Sequence, residues 1–249
     1  MSAVGRCDLG RHREHNEDSI YISEDSYAGL IYYIVADGMG GHNGGGVASY
    51  FAIKYFNEHI LENADRISGE EILDLFIEAL NYCNTKVYEM SVNNSNLSGM
   101  GTTFTIVGLI ENKAYCVHVG DSRFYIYNAK DGFKQITKDH SYVMEMVRMG
   151  RLTQEQAVSH PQRNVITKAI GIEDNVAADT YILDIESKST MLLCTDGLSV
   201  MVEDKEIEKI LKKKLSLEKK ADALIELANE NGGFDNVSVI VADGRVDKK

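Results

Sequence analysis

The sequence predicts an α+β fold in which antiparallel sheets carry amphipathic helices, and its connections and periodicities are what predict it. Phe104 to Ile110 and Ala114 to Val119 are apolar runs separated only by Glu111-Asn112-Lys113, and Gly120-Asp121-Ser122 leads directly into a third run, Arg123 to Tyr127. Links this short permit antiparallel pairing and exclude a parallel crossover, which needs about a dozen residues or more. Elsewhere the apolar spacing is helical, in Val47, Phe51, Ala52, Tyr55 and Phe56 and again in Ile72, Phe76, Ala79, Leu80, Cys83 and Val87. Helices of this kind need a sheet to cover, which makes a layered fold.

Along the chain, Ser19 to Ser23 reads as a short strand and 31–36 as a stronger one, rich in β-branched and aromatic residues. The helix through Val47 to Phe56 follows. The next is opened by Ser68-x-x-Glu71, the pattern of a capping box. Strands are expected at 104–110, 114–119, 123–127, 190–194 and 237–242, and a third helix through Leu217, Ala221, Leu224, Ile225 and Ala228. The stretch from His140 to Gly171 is polar and holds a second capping box, Thr153-x-x-Gln156, so it reads as a helical excursion over the surface. There is no internal repeat, and with Pro161 the only proline no proline-rich linker divides the chain.

Composition narrows the function. With 249 residues, 44% hydrophobic and 26% charged, the chain can bury a core. Its formal net charge of −12 argues against a dedicated nucleic-acid or anionic-membrane binder, because counterion release needs clustered Lys and Arg. It leaves room for divalent cations. Met1 to Ser19 is full of charged residues where a signal peptide needs an apolar segment, and the apolar stretch Leu30 to Ala36 is too short to span a bilayer. A cytoplasmic protein is expected. Cys7, Cys83, Cys116 and Cys194 show no C-x-x-C spacing and read as small buried apolar residues.

The aspartates carry the chemistry. Ile34-Val35-Ala36 ends in Asp37-Gly38, Leu192-Leu193-Cys194-Thr195 ends in Asp196-Gly197, Val117-His118-Val119-Gly120 ends in Asp121, and Asp235-Asn236 heads the strand from Val237. A single Asp-Gly is ordinary turn chemistry. Four carboxylates where buried strands meet loops would be costly to bring together unless cations neutralised them. Oxygen ligands without His or Cys favour hard ions, so magnesium or manganese fits better than zinc. An arginine in Arg11-His12-Arg13-Glu14-His15-Asn16-Glu17-Asp18 suits a phosphate beside such a cluster, while Arg11, His12 and Glu14 individually read as a solvated charged turn. The glycine-rich stretch Gly38 to Gly46 lacks both the Lys-Ser/Thr pair of a nucleotide loop and the third glycine of a dinucleotide fingerprint.

Together Arg13-x-x-Asn16-Glu17-Asp18, Val35-Ala36-Asp37-Gly38-Met39-Gly40-Gly41, Gly101-Thr102-Thr103, Gly120-Asp121-Ser122-Arg123, Thr195-Asp196-Gly197-Leu198 and Asp235-Asn236 resemble the metal-dependent protein phosphatases of the 2C type, in particular their compact bacterial members. The pieces keep the family's order and span nearly the whole chain. The resemblance implies one catalytic domain over 1–249, built as a four-layer α-β-β-α sandwich of two antiparallel sheets flanked by helices, with a flap at about 139–172 beside a metal cleft. It implies that Asp37 bridges two ions, with the Gly38 carbonyl on the first and Asp196 and Asp235 on the second. Glu17 and Asp18 would act through water, Asp121 with Asp196 would form a third-metal site, and Arg13 would grip the substrate phosphate. Water activated by Mn2+ or Mg2+ would then hydrolyse phosphoserine or phosphothreonine on proteins without a covalent phosphoenzyme.

Many eukaryotic relatives have His directly after the first Asp-Gly, where this chain has Met39 and the nearest downstream His is His42; either His42 is the general acid, or it shapes the loop and a metal-bound water serves instead. The implied partners are phosphorylated proteins and a bacterial serine/threonine kinase that the enzyme opposes. Two other readings compete. Cys7-x5-Arg13 has the spacing of a cysteine-dependent phosphatase, but no His precedes the Cys. A non-catalytic phosphoprotein-binding module would be expected to lack a metal-binding aspartate, and every matched position is filled.

Overall fold

The computed structural model describes residues 2–23, 29–40, 44–186 and 188–244. The chain opens with β1 (Ala3–Asp8), β2 (Asp18–Ile22) and β3 (Ile31–Met39), followed by α1 (Gly44–Glu62) and α2 (Ile72–Asn93). A short β4 (Gly101–Thr102) precedes β5 (Phe104–Ile110), β6 (Lys113–Val119), β7 (Arg123–Asn128) and β8 (Gly132–Gln135). Helices α3 (Tyr142–Arg148) and α4 (Gln154–Val158) lead to β9 (Asp179–Asp184), β10 (Thr190–Cys194), α5 (Asp196–Ser199), α6 (Asp204–Lys212), α7 (Leu217–Glu230) and β11 (Val237–Asp243). One sheet has the order β1-β11-β10-β7-β8 and the other β2-β3-β5-β6-β9, with β4 paired to β3. The paired strands run antiparallel in both.

Alternation along the central strands explains why they read as unbroken apolar runs. In β3, Tyr33 and Val35 enter the core between the sheets, while Tyr32, Ile34 and Ala36 pack with the apolar faces of α1 and α2. In β10 and β11, Met191, Leu193, Ile240 and Ala242 join the inter-sheet core, whereas Leu192, Cys194, Val237, Val239 and Val241 pack beneath α6 and α7. Both faces of these strands are dry, and the layers follow the order helix, sheet, sheet, helix. This is the α+β sandwich that the motifs imply. Among the described residues no helix is long and apolar enough to cross a membrane.

Several local details depart from the sequence reading. The strand expected at 31–36 continues through Asp37 to Met39, because Gly38 and Met39 pair with Thr102 and Gly101. The Ser68 hydroxyl accepts from the Glu71 amide at 3.2 Å, but the Glu71 carboxylate turns to Arg66 (3.9 Å), so the helix starts at Ile72 with half a capping box. At Thr153 and Gln156 both reciprocal bonds form, at 2.8 and 3.2 Å. β1, β8 and β9 lie at or next to sheet edges, where one wetted face breaks up the apolar run that would have announced them.

The polar excursion is fastened at its base. Arg123 holds Asp139 in a forked ion pair with contacts of 2.7 to 3.1 Å. Isolated bridges pair Ser141 with Ile166 and Thr102 with Ile170. At the far end, buried Asn84 of α2 accepts from the Gly171 amide (2.8 Å) and donates to the carbonyls of Glu173 and Asp174 (both 3.0 Å).

Candidate active site

Tyr33 and Val35 alternate with helix-facing neighbours, and the next residue on their face is Asp37, at the mouth of the inter-sheet layer. Its backbone is fixed from β4 and β5. The Asp37 amide donates to the Thr103 hydroxyl at 2.9 Å, and the Asp37 carbonyl accepts from the Thr102 hydroxyl and the Thr103 amide, each at 2.9 Å. Thr103 is tied in turn to the Ser122 hydroxyl at 2.7 Å. Gly38 packs so closely on the carbonyls of Gly45 and Glu17 that a Cβ there would strike both, so the strand can reach the start of α1 only with glycine at this position.

Asp18 of β2 lies directly opposite Asp37 in the register. Like charges facing each other across strands are destabilising. One Asp18 oxygen accepts from the Thr195 hydroxyl at 2.9 Å, and Thr195 is itself held by the Ser238 amide at 3.0 Å. The other Asp18 oxygen, Oδ1, is buried with no protein partner, as is Glu17 Oε1. Asp196 begins α5, Asp121 lies in the turn between β6 and β7, and Asp235 stands two residues before β11. Asp235 accepts from its own neighbour's amide, that of Asn236, at 2.8 Å and from Arg13 at 2.7 Å.

The electrostatics join these side chains into one group. Burial, then repulsion from Asp18, Asp196, Asp121 and Asp235, holds the Asp37 carboxyl well above the usual carboxylate range. Burial and the charge of Asp196 do the same to Asp121. Asp18 is pushed up to about 7, by burial first and by Asp196 and Asp235 next, against the bond from Thr195. Asp196 is pushed up to about 6 by burial and Asp235, partly offset by a hydrogen bond with Asp37. Such an assembly is costly as bare protein and is relieved by cations. The orphaned oxygens of Glu17 and Asp18 are acceptors of the hard kind that magnesium or manganese takes, directly or through water. Among the described residues no group of three or more His, Cys, Asp and Glu side chains forms a ligand cage by itself. An ion that keeps several waters needs only one or two carboxylates, so the donor set fits such an ion.

The structure thus gathers Asp18, Asp37, Asp121, Asp196 and Asp235, with Glu17 beside them, Gly38 at the adjoining closure and Arg13 attached through Asp235. His42 lies outside the described residues. Cys7 is exposed, unlike the buried Cys83, Cys116 and Cys194, because it lies in edge strand β1; it sits there opposite Ser238, where no phosphate-cradling loop surrounds it, which removes the thiol reading. Other residues that build the site went unassigned in the sequence. Asn236 accepts from the Glu17 amide (2.9 Å) and donates to the carbonyls of Leu9 and His15 (both 3.0 Å), so one side chain pins the Arg13 segment against β11. His140 accepts at Nδ1 from the Gly120 amide (3.1 Å), which fixes its proton on Nε2, facing Asp179 (3.2 Å). Its own amide donates to the Gly120 carbonyl (2.8 Å), so the base of the excursion grips the turn that carries Asp121. Adjacency in Asp235-Asn236 and Asp139-His140 was the available signal.

Comparison with known proteins bears on the same residues. The profile of the family described as protein phosphatase 2C matches residues 10–244. The serine/threonine phosphatase stp of Listeria innocua is 37% identical over 249 residues, covering 100% of this chain and 98% of its own length. The crystal structure of the Mycobacterium tuberculosis serine/threonine phosphatase PstP/Ppp superposes with a TM-score of 0.88 at 35% identity, covering 98% of this chain and 99% of that one. A structure of the PstP catalytic domain in complex with two manganese ions gives 0.84 at 34% identity, covering 97% of each chain. With its carboxylates at the mouth of a double sheet and this likeness along its length, the chain belongs to the protein phosphatase 2C family of serine/threonine phosphatases.

Proposed function

We propose that the chain works as one catalytic unit that hydrolyses phosphoserine and phosphothreonine on proteins, with Asp37, Asp196 and Asp235 as the carboxylates that hold two divalent cations. The observation that carries this assignment is the convergence of aspartates whose pKa values are driven up by burial and by one another, beside carboxylate oxygens that no protein group satisfies. The Gly38 carbonyl would help Asp37 hold a cation, and Glu17 and Asp18 would act through water. Bound there, the cations neutralise the carboxylates and supply a water acidic enough to attack phosphorus in line.

The chain's own groups do the rest. Thr102 and Thr103 hold Asp37 rigid, so its carboxylate keeps its position as charge builds on the phosphoryl oxygens. Arg13 binds two of those oxygens in its guanidinium fork. Its partner here is Asp235, so Arg13 would share that carboxylate with any cation Asp235 holds. His42 is assigned the proton that the leaving serine or threonine oxygen needs, so that the products are a free hydroxyl and inorganic phosphate. Asp121 with Asp196 is assigned a third cation. Manganese is favoured over magnesium by the two manganese ions in the PstP relative. A cytoplasmic setting, opposite a serine/threonine kinase, suits a chain of this charge, and the excursion at 139–172 is assigned the flap beside the cleft.

Turnover of a phosphothreonine peptide in Mn2+, Mg2+ or chelator tests this directly. Activity is expected only with added cation, and Asp37→Asn should lower kcat/KM by at least about 100-fold. Full activity of Asp37→Asn, or of the unmodified chain in chelator, would overturn the assignment. A pH profile of His42→Ala with an unchanged acidic limb would remove His42 from the mechanism.

A further inference from the structure

Phe234 stands immediately before Asp235 and is 59% exposed, yet it is held in place. Its ring stacks on His12 with centroids 4.7 Å apart and planes at 23°. The loop that presents it is built for the purpose: Gly232 and Gly233 adopt φ of +131° and +56°, and a Cβ on Gly232 would strike the Phe234 ring. Gly233 is bonded on both sides, its carbonyl accepting from the Arg11 amide at 2.7 Å and its amide donating to the Ala228 carbonyl at 3.0 Å. One residue further along both segments, Arg13 and Asp235 form their ion pair at 2.7 Å. The aromatic pair and the ion pair are therefore consecutive rungs between the same two segments.

We propose that the stacked His12–Phe234 pair is a specificity subsite that takes an apolar side chain flanking the phosphorylated residue of the substrate. The inference rests on Arg13 as the phosphate grip. Consecutive Cα atoms are about 3.8 Å apart, so the neighbour of a phosphoresidue held by Arg13 comes within reach of the next rung. An aromatic face already fixed by stacking loses little freedom when a side chain covers it. The ring rewards an apolar side chain by burial, and Arg11, whose stem packs beside Gly233, and Arg13 flank the shelf and repel a basic one.

The test uses the Mn2+-loaded chain, free phosphothreonine, and phosphothreonine peptides that differ only in the residues flanking the phosphorylated position, Leu, Lys or Asp. Covering the ring should give the Leu peptide a kcat/KM about tenfold above the Asp peptide, the value of partly burying one apolar side chain. In Phe234→Ala this ratio should fall to within about twofold of unity, and His12→Ala should lower it in the same direction, whereas Phe234→Leu should keep most of it. An unchanged ratio in Phe234→Ala, or a preference for the Lys or the Asp peptide, overturns the subsite. A flat peptide preference with brisk turnover of free phosphothreonine sinks the subsite alone. No turnover of free phosphothreonine or of any of the peptides by the Mn2+-loaded unmodified chain sinks the phosphatase reading and the subsite with it.

Discussion

The hydroxyl of Thr103 links two elements of the site, accepting from the Asp37 amide and sharing a proton with Ser122 in a place that is only 2% exposed. Thr103→Val keeps the shape and removes the acceptor, leaving a buried amide and a buried hydroxyl without their partner. The expected loss is about 1–3 kcal/mol, read as a lower urea midpoint at unchanged m, and Thr103→Ser should recover most of it. A midpoint that does not move would show that Ser122 alone satisfies the amide. At this scale the sequence was uneven. Asp37 and Asp196 could be read because each closes an apolar run with Asp-Gly, a local signal. Thr103, Ser122 and Thr195 could not, because the partner of a hydroxyl is set by which strands lie side by side, and no spacing within one strand records that.

The strands buried on both faces were readable for a physical reason: a segment with helices on one side and a second sheet on the other has no position left for a polar residue. β9 shows the opposite case, since its alternate residues face solvent and Asp179 and Asp184 bound it. The excursion from 139 to 172 was recognisable as polar and capped, but the way it is moored was not, because the moorings come from α2 and β7. Asn84 supplies one of them, and its side chain is almost fully buried while it bonds Gly171, Glu173 and Asp174. In Asn84→Ala the amide of Gly171 should exchange with deuterium at least about tenfold faster, while amides in β3 and β5 keep their protection. Equal acceleration throughout would mean that the substitution lowers global stability and that the mooring is not a local one.

Across the whole molecule, two sets of groups pull stability in opposite directions with pH. His118 donates at Nε2 to the Lys138 carbonyl and accepts at Nδ1 from Thr105; burial, then the charge of His140, holds its pKa down at about 4. A folded pKa below the free value of about 6.5 gives stability that is complete above that pH and drains away as pH falls toward 4. Asp18 and Asp196, raised to about 7 and about 6, act the other way. The folded state holds their protons where the unfolded chain has lost them, so stability falls as pH rises from about 4 to 7. Cations cancel only the second contribution, and at low pH they must displace protons to bind. Manganese at one fixed concentration, about 100 times its Kd at pH 8, should therefore raise Tm by about 5 to 10 °C at pH 8 and by clearly less at pH 5.5, read by scanning calorimetry. Equal shifts at the two pH values would place the cation away from these aspartates. The order in which the site is assembled follows from its longest link, since Arg13 and Asp235 are 222 residues apart. A chain still leaving the ribosome has made Asp37 and Asp121 early, but it lacks Asp235 and the Asn236 clasp until β11 is synthesised, at about 5–20 residues per second. On the role proposed for Asp235, the site of a nascent chain is therefore incomplete until that segment is made and folded back on Arg13.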